Sequence, residues 1–262
     1  MKPQKTSWGK VAKWYDRLLE DVPGTYQKEV ILPNLLRIVA PRPGMTIADI
    51  ACGQGFFARA FFGAGASVVG ADIAPELIEI AKKNSPREIN FHVAPADNLK
   101  EIKTGEADIA LIALAIQNIE NLAGTMAEVA RILKPDGHLI LVMNHPAFRI
   151  PGETSWGWDE AMKRQYRRVD GYLSEARAEI EMHPSSSRQG GRTEKKSGER
   201  TISFHRPLQV YVKALAKAGF AITRLEEWIS PKTSEPGPRA KEEDRIRKEI
   251  PMFLCLEAKK QN

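Results

Sequence analysis

The sequence has 262 residues, of which 42% are hydrophobic and 27% are charged, proportions that are typical of a globular domain and exclude wholesale disorder. The formal net charge of +6 is compatible with an anionic partner, but lysines that solvate helix faces explain it more simply. The longest apolar run, residues 109–116, is far below the roughly 18 residues that a membrane span requires, so no span is expected.

Short β-rich segments alternate with amphipathic helical segments from residue 45 onward, a pattern typical of a parallel sheet covered on both faces by helices. Helices are predicted at 121–133 and 207–219, and another begins at Pro75. Strands are predicted at 46–50, 67–71, 89–93, 107–113, 138–143, 222–229 and 253–258. The predicted fold class is therefore a doubly wound α/β domain with seven strands.

Two segments interrupt this alternation. Residues 146–206 are much longer than a connection from strand to helix requires, so they form an insertion. The insertion begins with aromatic residues and ends in a basic, serine- and glycine-rich stretch at 184–200, which we expect to be mobile. Residues 231–250 read as a loop followed by a charged helix.

The cysteines, Cys52 and Cys255, lie in segments that read as a strand end and a buried strand. We therefore expect neither a disulfide framework nor a metal cluster. No apolar stretch of signal-peptide length follows the lysines near the amino terminus, so a reducing cytoplasmic location is expected.

A ligand site is indicated where the first predicted strand ends. Residues 46–58 read as a buried strand, a glycine turn and a helix start, and Gly53 and Gly55 allow a ligand to approach the backbone at the helix amino terminus. Asp49, inside the strand, suits a cationic ligand and would repel a pyrophosphate. A tight turn without a ligand remains the alternative for the glycines.

This segment resembles the first motif of the class I S-adenosylmethionine-dependent methyltransferases. Ala51 stands where that family has a glycine, a departure that we expect to leave the constrained turn positions intact. Further matches follow in order, namely 68–72, 94–98, 107–121 and 131–142, together with a helix at 8–16 that resembles the amino-terminal helix of small-molecule members. The likeness covers residues 8 to about 145 and, more weakly, 205–260, and it is nearest to the ubiquinone and menaquinone branch.

The resemblance implies S-adenosylmethionine as the cofactor and a Rossmann-like, mostly parallel sheet. Asp72 would accept both ribose hydroxyls and Asp97 would meet the adenine amino group, although Asp97 also suits a turn cap. Tyr15 would face the methionine portion or anchor its own helix. The full set of implied cofactor residues is Tyr15, Asp49, Ala51, Gly53, Gly55, Asp72, Ile73, Ala96, Asp97, Asn98, Ala113 and Gln117.

The acceptor is expected to be a small, partly apolar molecule. The chain lacks the Asn/Asp-Pro-Pro-aromatic signature of nucleic-acid amino methyltransferases after strand four, so a nucleic-acid partner is not expected. His145 and His205 are candidate general bases, with structural turn histidines as the alternative. Trp156 and Trp158 would contact the substrate or form a small core of the insertion.

The predicted organisation is a single methyltransferase domain. It comprises a helical cap at 1–44, a cofactor-binding core at 45–145, a substrate lid at 146–206, and a carboxyl-terminal helix with two strands at 207–262. Two other functions stay open. A NAD(P)-dependent oxidoreductase also fits the glycine turn, and a regulator that binds S-adenosylmethionine without catalysis needs only the cofactor site.

Overall fold

The computed structural model describes residues 7–182 and 198–261. The strands in these ranges are β1 (Thr46–Ile50), β2 (Ser67–Asp72), β3 (Asn90–Val93), β4 (Ala107–Ala113), β5 (Leu133–Asn144), β6 (Thr154–Asp159), β7 (Arg164–Val169), β8 (Ala176–Glu181), β9 (Arg200–His205), β10 (Phe220–Trp228) and β11 (Phe253–Lys260). The helices are α1 (Ser7–Lys10), α2 (Ala12–Glu20), α3 (Leu32–Val39), α4 (Phe56–Gly63), α5 (Pro75–Asn84), α6 (Leu122–Ile132), α7 (Leu208–Lys217) and α8 (Ala240–Glu249).

Seven of these strands form the main sheet, in the order β10-β11-β5-β4-β1-β2-β3. Strands β1 to β5 run parallel to one another, whereas β11 is antiparallel to both β5 and β10. The predicted fold class, a mostly parallel Rossmann-like sheet of seven strands, is thereby confirmed. The order reverses between β1 and β4, which is the switch point where ligands bind in open α/β sheets.

Both faces of the sheet are buried, which explains why its central strands read as continuous apolar runs. In β4, Ile109 and Leu111 pack in a core cluster with residues of α3 and α4. The intervening Ala110 and Ile112 pack in the opposite cluster with residues of α6 and α7. This alternation fixes the register, since a shift of one residue would exchange the two faces.

Strand β5 begins earlier than the predicted 138–143. The Lys134-Pro-Asp-Gly segment, whose residues are typical of a turn, lies within β5 but has no partner in β4, because Leu133 pairs with Ala107 and His138 pairs with Ile109. Asp136 accommodates the irregularity with a positive φ of 60°. The other predicted strands and the charged helix within 231–250 agree closely with the structure.

The described residues of the insertion at 146–206 form two antiparallel strand pairs, which were not predicted from the sequence. Strand β6 pairs with β7, and β8 pairs with β9. Of the basic stretch at 184–200, residues 184–197 lie outside the described residues. Across the described part of the chain, no helix is long and apolar enough to cross a membrane.

Candidate active site

A cavity of about 590 Å³ opens at the carboxyl ends of the parallel strands, and this volume lies within the range of small-molecule sites. Its inner wall comes from the turns after β1, β2, β3 and β4. Its outer wall comes from α1, α2 and the hairpin β8–β9. The lining residues are Ser7, Trp8, Tyr15, Ala51, Gly53, Asp72, Ile73, Leu77, Ala94, Pro95, Ala96, Asp97, Ala113, Leu114, Ala115, Asn118, Ile119, Glu120, Asn121, Arg177, Thr201, Ile202 and Phe204.

Asp72 holds the turn that follows β1. The backbone N–H of Gly53 donates to its Oδ2 atom at 2.9 Å, and the N–H of Ala74 donates to Oδ1 at 2.8 Å. Burial raises the pKa of Asp72, while these backbone hydrogen bonds oppose the rise. Each carboxylate oxygen can accept a further hydrogen bond, so Asp72 can fix the turn and still bind a ligand.

The glycine turn brings backbone close to the cavity. Gly53 has a φ of +58°, and a Cβ atom there would lie 3.4 Å from the Cε1 atom of Tyr15. Ala51, also on the wall, has a φ of 55° in the left-handed region that favours glycine. Contrary to our expectation, the alanine therefore occupies a constrained position of the turn. Leu114, at the end of β4, is in the same region, and such strain clusters at functional sites.

Asp49 lies beneath this turn and is not on the cavity wall. Its side chain is 1% exposed, and its Oδ2 atom finds no hydrogen-bond partner among the described residues. Burial and, secondarily, the charge of Asp72 raise the pKa of Asp49 to about 8. A nearby positive charge stabilises the ionised form of a buried carboxyl group that has an unpaired oxygen atom.

The amino-terminal helices close one side of the cavity. The rings of Trp8 and Tyr15 meet edge to face, with 5.5 Å between their centroids. Burial and the charge of Asp72 raise the pKa of Tyr15 to about 12, so it stays a neutral phenol. Lys10 on α1 forms an ion pair of 3.0 Å with Glu199 beside β9, which joins this helix to the hairpin.

The loop after β4 is fixed by the returning end of the insertion. The buried guanidinium of Arg206 donates to the carbonyl oxygens of Ile119 and Glu120 at 3.0 and 2.7 Å. The Asn118 amide donates to the carbonyl of Ile202 at 2.7 Å. These bonds place the apolar side chains of the loop and of β9 on the same cavity.

The structure gathers most of the predicted cofactor residues around one cavity. Those that line the cavity are Tyr15, Ala51, Gly53, Asp72, Ile73, Ala96, Asp97 and Ala113. The predicted residues away from the wall are Asp49, Gly55, Asn98 and Gln117. Gly55 instead precedes α4 with a φ of +84°, and Gln117 exchanges hydrogen bonds with the backbone of Asn144.

The structure does not bring the two predicted histidines to the cavity. His145 is buried, and its Nε2 atom lies 2.7 Å from a carboxylate oxygen of Glu227. Burial lowers the pKa of His145, and Glu227 opposes this shift. His205 is also buried, with its Nε2 atom 2.8 Å from the carbonyl oxygen of Tyr172.

The wall contributed by the hairpin β8–β9 was not predicted from the sequence. Thr201, Ile202, Phe204 and Arg177 line the cavity from these strands. A signal was present in the sequence, because Ile202 and Phe204 alternate with polar residues along 200–205, as apolar and polar residues do in a half-buried strand.

Residues 48–141 match the family profile of a methyltransferase domain. A ubiquinone biosynthesis O-methyltransferase from Thiobacillus denitrificans is 28% identical over 131 residues, which cover 48% of this chain and 55% of that protein. A demethylmenaquinone methyltransferase from Tropheryma whipplei is 29% identical over 104 residues, 39% of this chain and 44% of the relative. The chain thus spans about half the length of these curated relatives.

Solved structures resemble the whole fold. An S-adenosylmethionine-dependent methyltransferase from Mesorhizobium loti superposes with a TM-score of 0.68 at 27% identity, covering 87% of this chain and 96% of that one. A Listeria monocytogenes protein described as a putative S-adenosylmethionine-dependent methyltransferase has a TM-score of 0.66 at 24% identity, with coverages of 88% and 98%. The chain therefore has the methyltransferase domain and the fold of the class I S-adenosylmethionine-dependent methyltransferases, as its motifs predict.

Proposed function

We propose that this chain is an enzyme that transfers a methyl group from S-adenosylmethionine to a small, partly apolar molecule. The observation that carries the proposal is a single cavity whose inner wall has carboxylates and a glycine turn and whose outer wall is largely apolar. When bound, S-adenosylmethionine supplies an electrophilic methyl group.

The inner wall fits a nucleoside that carries positive charge. Asp72 ends β2 with lone pairs left for ribose hydroxyls, and Asp97 lies after β3 for the adenine amino group. The Asp97 carboxylate is positioned by the Asn121 amide, which donates to its Oδ2 atom at 2.8 Å. The Oδ2 atom of Asp49, which has no hydrogen-bond partner among the described residues, favours a cationic ligand.

The outer wall fits an acceptor with apolar surface. Ile202 and Phe204 of the hairpin give this wall apolar surface and Arg177 adds a polar group, while Ile119 and Glu120 line the same cavity from the loop after β4. The quinone methyltransferases among the relatives agree with a small-molecule acceptor. We infer that these residues align the acceptor and exclude water, which can supply most of the rate enhancement of a methyl transfer.

We do not assign proton removal to His145 or His205, since both rings contact partners away from the cavity. The proposed setting is the reducing cytoplasm, where the buried Cys52 and Cys255 remain thiols.

Calorimetric titration with S-adenosylmethionine, S-adenosylhomocysteine and NAD tests the cofactor assignment. We expect the first two to bind and NAD not to bind. Asp72→Asn keeps one oxygen for the turn but removes the charge, and it should weaken binding about tenfold or more. Asp136→Asn is the matched control, because Asp136 is an exposed residue paired with Lys259 at the opposite end of β5. Binding of NAD without any response to S-adenosylmethionine would contradict the proposal.

The acceptor assignment is tested with quinone-like phenols, by measuring turnover and S-adenosylhomocysteine affinity in the same variants. Phe204→Ala should lower turnover and leave the affinity unchanged. Leu225→Ala, at an exposed position of β10, serves as the control. A loss of S-adenosylhomocysteine affinity that matches the loss of turnover would indicate that Phe204 contacts the cofactor instead.

A further inference from the structure

A second cavity, of about 300 Å³, lies beyond the end of β5. It is enclosed by the hairpin β6–β7, helix α8, and segments that precede α3 and β11. The lining residues are Tyr26, Arg149, Trp156, Gln165, Ser230, Glu243, Ile246, Arg247, Ile250 and Met252. None of them lines the proposed cofactor and acceptor cavity. Its volume is at the lower limit of small-molecule sites.

Arg149 gives this cavity an uncompensated positive charge. Its guanidinium is half-buried, and no described residue forms an ion pair with it or accepts a hydrogen bond from it. Burial lowers the pKa of Arg149, as expected for a cation that lacks a counterion. Burial and, secondarily, the charge of Arg149 lower the pKa of nearby Arg167. Arginines in such positions usually have an acidic partner.

The other charged residues at the cavity already have partners. Arg247 donates to Asp244 at 3.1 Å and lies 3.9 Å from Glu243, so these acids neutralise it. Arg167 donates to the carbonyl of Phe148 at 2.8 Å. Among the described residues at this wall, Arg149 is therefore the guanidinium that has neither an acidic partner nor a hydrogen bond.

The remaining wall is amphipathic. Trp156, Ile246 and Met252 provide apolar surface, and the hydroxyls of Tyr26 and Ser230 lie 3.2 Å apart. The guanidinium of Arg167 stacks 4.7 Å from the Trp156 ring centroid, which holds that ring in place. A ligand here would meet a cation at one end and hydrocarbon at the other.

We propose that this cavity is a second binding site, specific for a small monocarboxylate with a compact apolar body. The guanidinium of Arg149 binds the carboxylate through a planar pair of hydrogen bonds. The apolar body lies against Trp156, Ile246 and Met252. Glu243 on the same wall disfavours a dianion such as phosphate, because it adds a negative charge beside the ligand.

Sodium benzoate is the probe, and the indole N–H resonance of Trp156 is the readout. That resonance is assigned by its loss in Trp156→Phe. We expect benzoate to shift it saturably, whereas benzyl alcohol, which lacks the charge, and inorganic phosphate bind at least tenfold more weakly. Saturating S-adenosylhomocysteine should leave the benzoate titration unchanged, since the two cavities share no lining residue.

The variant Arg149→Gln should weaken benzoate binding at least tenfold, as expected for the loss of a charged hydrogen-bond pair. Arg87→Gln removes the same charge at an exposed position on the chain between α5 and β3 and should change nothing. If Arg149→Gln no longer melts cooperatively, Arg149→Lys takes its place, and it too should weaken binding because an ammonium lacks the planar pair of donors. Equal benzoate affinity in the wild type and the folded Arg149 variant would overturn the proposal. So would tighter binding of phosphate than of benzoate, or displacement of benzoate by S-adenosylhomocysteine.

Discussion

The buried carboxyl group of Asp49 should make the folded protein less stable as the pH rises toward neutrality. Its pKa is raised from the ordinary value of 3.8 to about 8, first by burial and then by the charge of Asp72. Between these two values the folded state holds a proton that the unfolded state has lost. The stability that the protonated carboxyl group of Asp49 contributes is therefore fully present below about pH 4 and falls progressively up to about pH 8.

The magnitude follows from that one-proton difference. Each pH unit within the interval lowers the free energy of unfolding by about 1.4 kcal/mol. From pH 5 to pH 7, the titration of Asp49 should thus lower the free energy of unfolding by about 2.7 kcal/mol. Asp49→Asn has a similar shape and does not titrate, so its stability should fall by about 2.7 kcal/mol less than that of the wild type over the same interval.

Urea denaturation at pH 5, 6 and 7, followed by circular dichroism, measures the difference. Asp136→Asn is the control, because an ion pair with Lys259 lowers the pKa of Asp136 and keeps it ionised throughout. A cationic ligand near Asp49 favours its charged form, so saturating S-adenosylmethionine should reduce the pH dependence of the wild type. Parallel pH profiles for the wild type and Asp49→Asn would refute this reasoning.

Three further predictions concern backbone strain and surface contacts. Gly55→Ala should lower the free energy of unfolding by about 2 kcal/mol or more, because it places a Cβ atom at a φ of +84° and 2.9 Å from the Cζ atom of Phe91; an unchanged urea midpoint would contradict this. Ala51→Gly should raise the free energy of unfolding by up to about 1 kcal/mol, because glycine adopts the left-handed backbone conformation of this position without strain; a lower urea midpoint would show that the turn is not strained. Lys10→Ala should lower the free energy of unfolding by at most about 1 kcal/mol, since its ion pair with Glu199 is exposed; a larger loss in the same assay would show that the ion pair has a structural role.

The cofactor half of the cavity could be predicted because its determinants are local in sequence. The bounds of β1 and β4 match the predicted 46–50 and 107–113. Each strand reads as an apolar run that ends at a turn, and the carboxyl ends of parallel strands meet at one edge. Residues at those ends, such as Asp72 and Asp97, therefore fall on one wall without any knowledge of distant contacts.

The hairpins of the insertion could not be predicted in this way, because antiparallel pairing depends on partners distant in the chain. Strand β8 pairs with β9 across residues 182–199, and the sequence gives no short turn to connect them. The position of β9 also depends on the hydrogen bond between Asn118 and Ile202, which are 84 residues apart. Such contacts override local propensity.

The two halves of the cavity are consequently fixed by different kinds of interaction. Asp72 is held by backbone N–H groups of the turns that follow β1 and β2, so the cofactor wall depends little on side chains elsewhere. On the acceptor wall, the guanidinium of Arg206 lies 5.0 Å from the ring centroid of Phe204 while it binds the carbonyl oxygens of Ile119 and Glu120. One side chain therefore positions both the β4 loop and the end of β9. A substitution at Arg206 would reshape the acceptor wall from two sides and leave the carboxylates of the cofactor wall in place, so we expect acceptor specificity to reside in this returning segment.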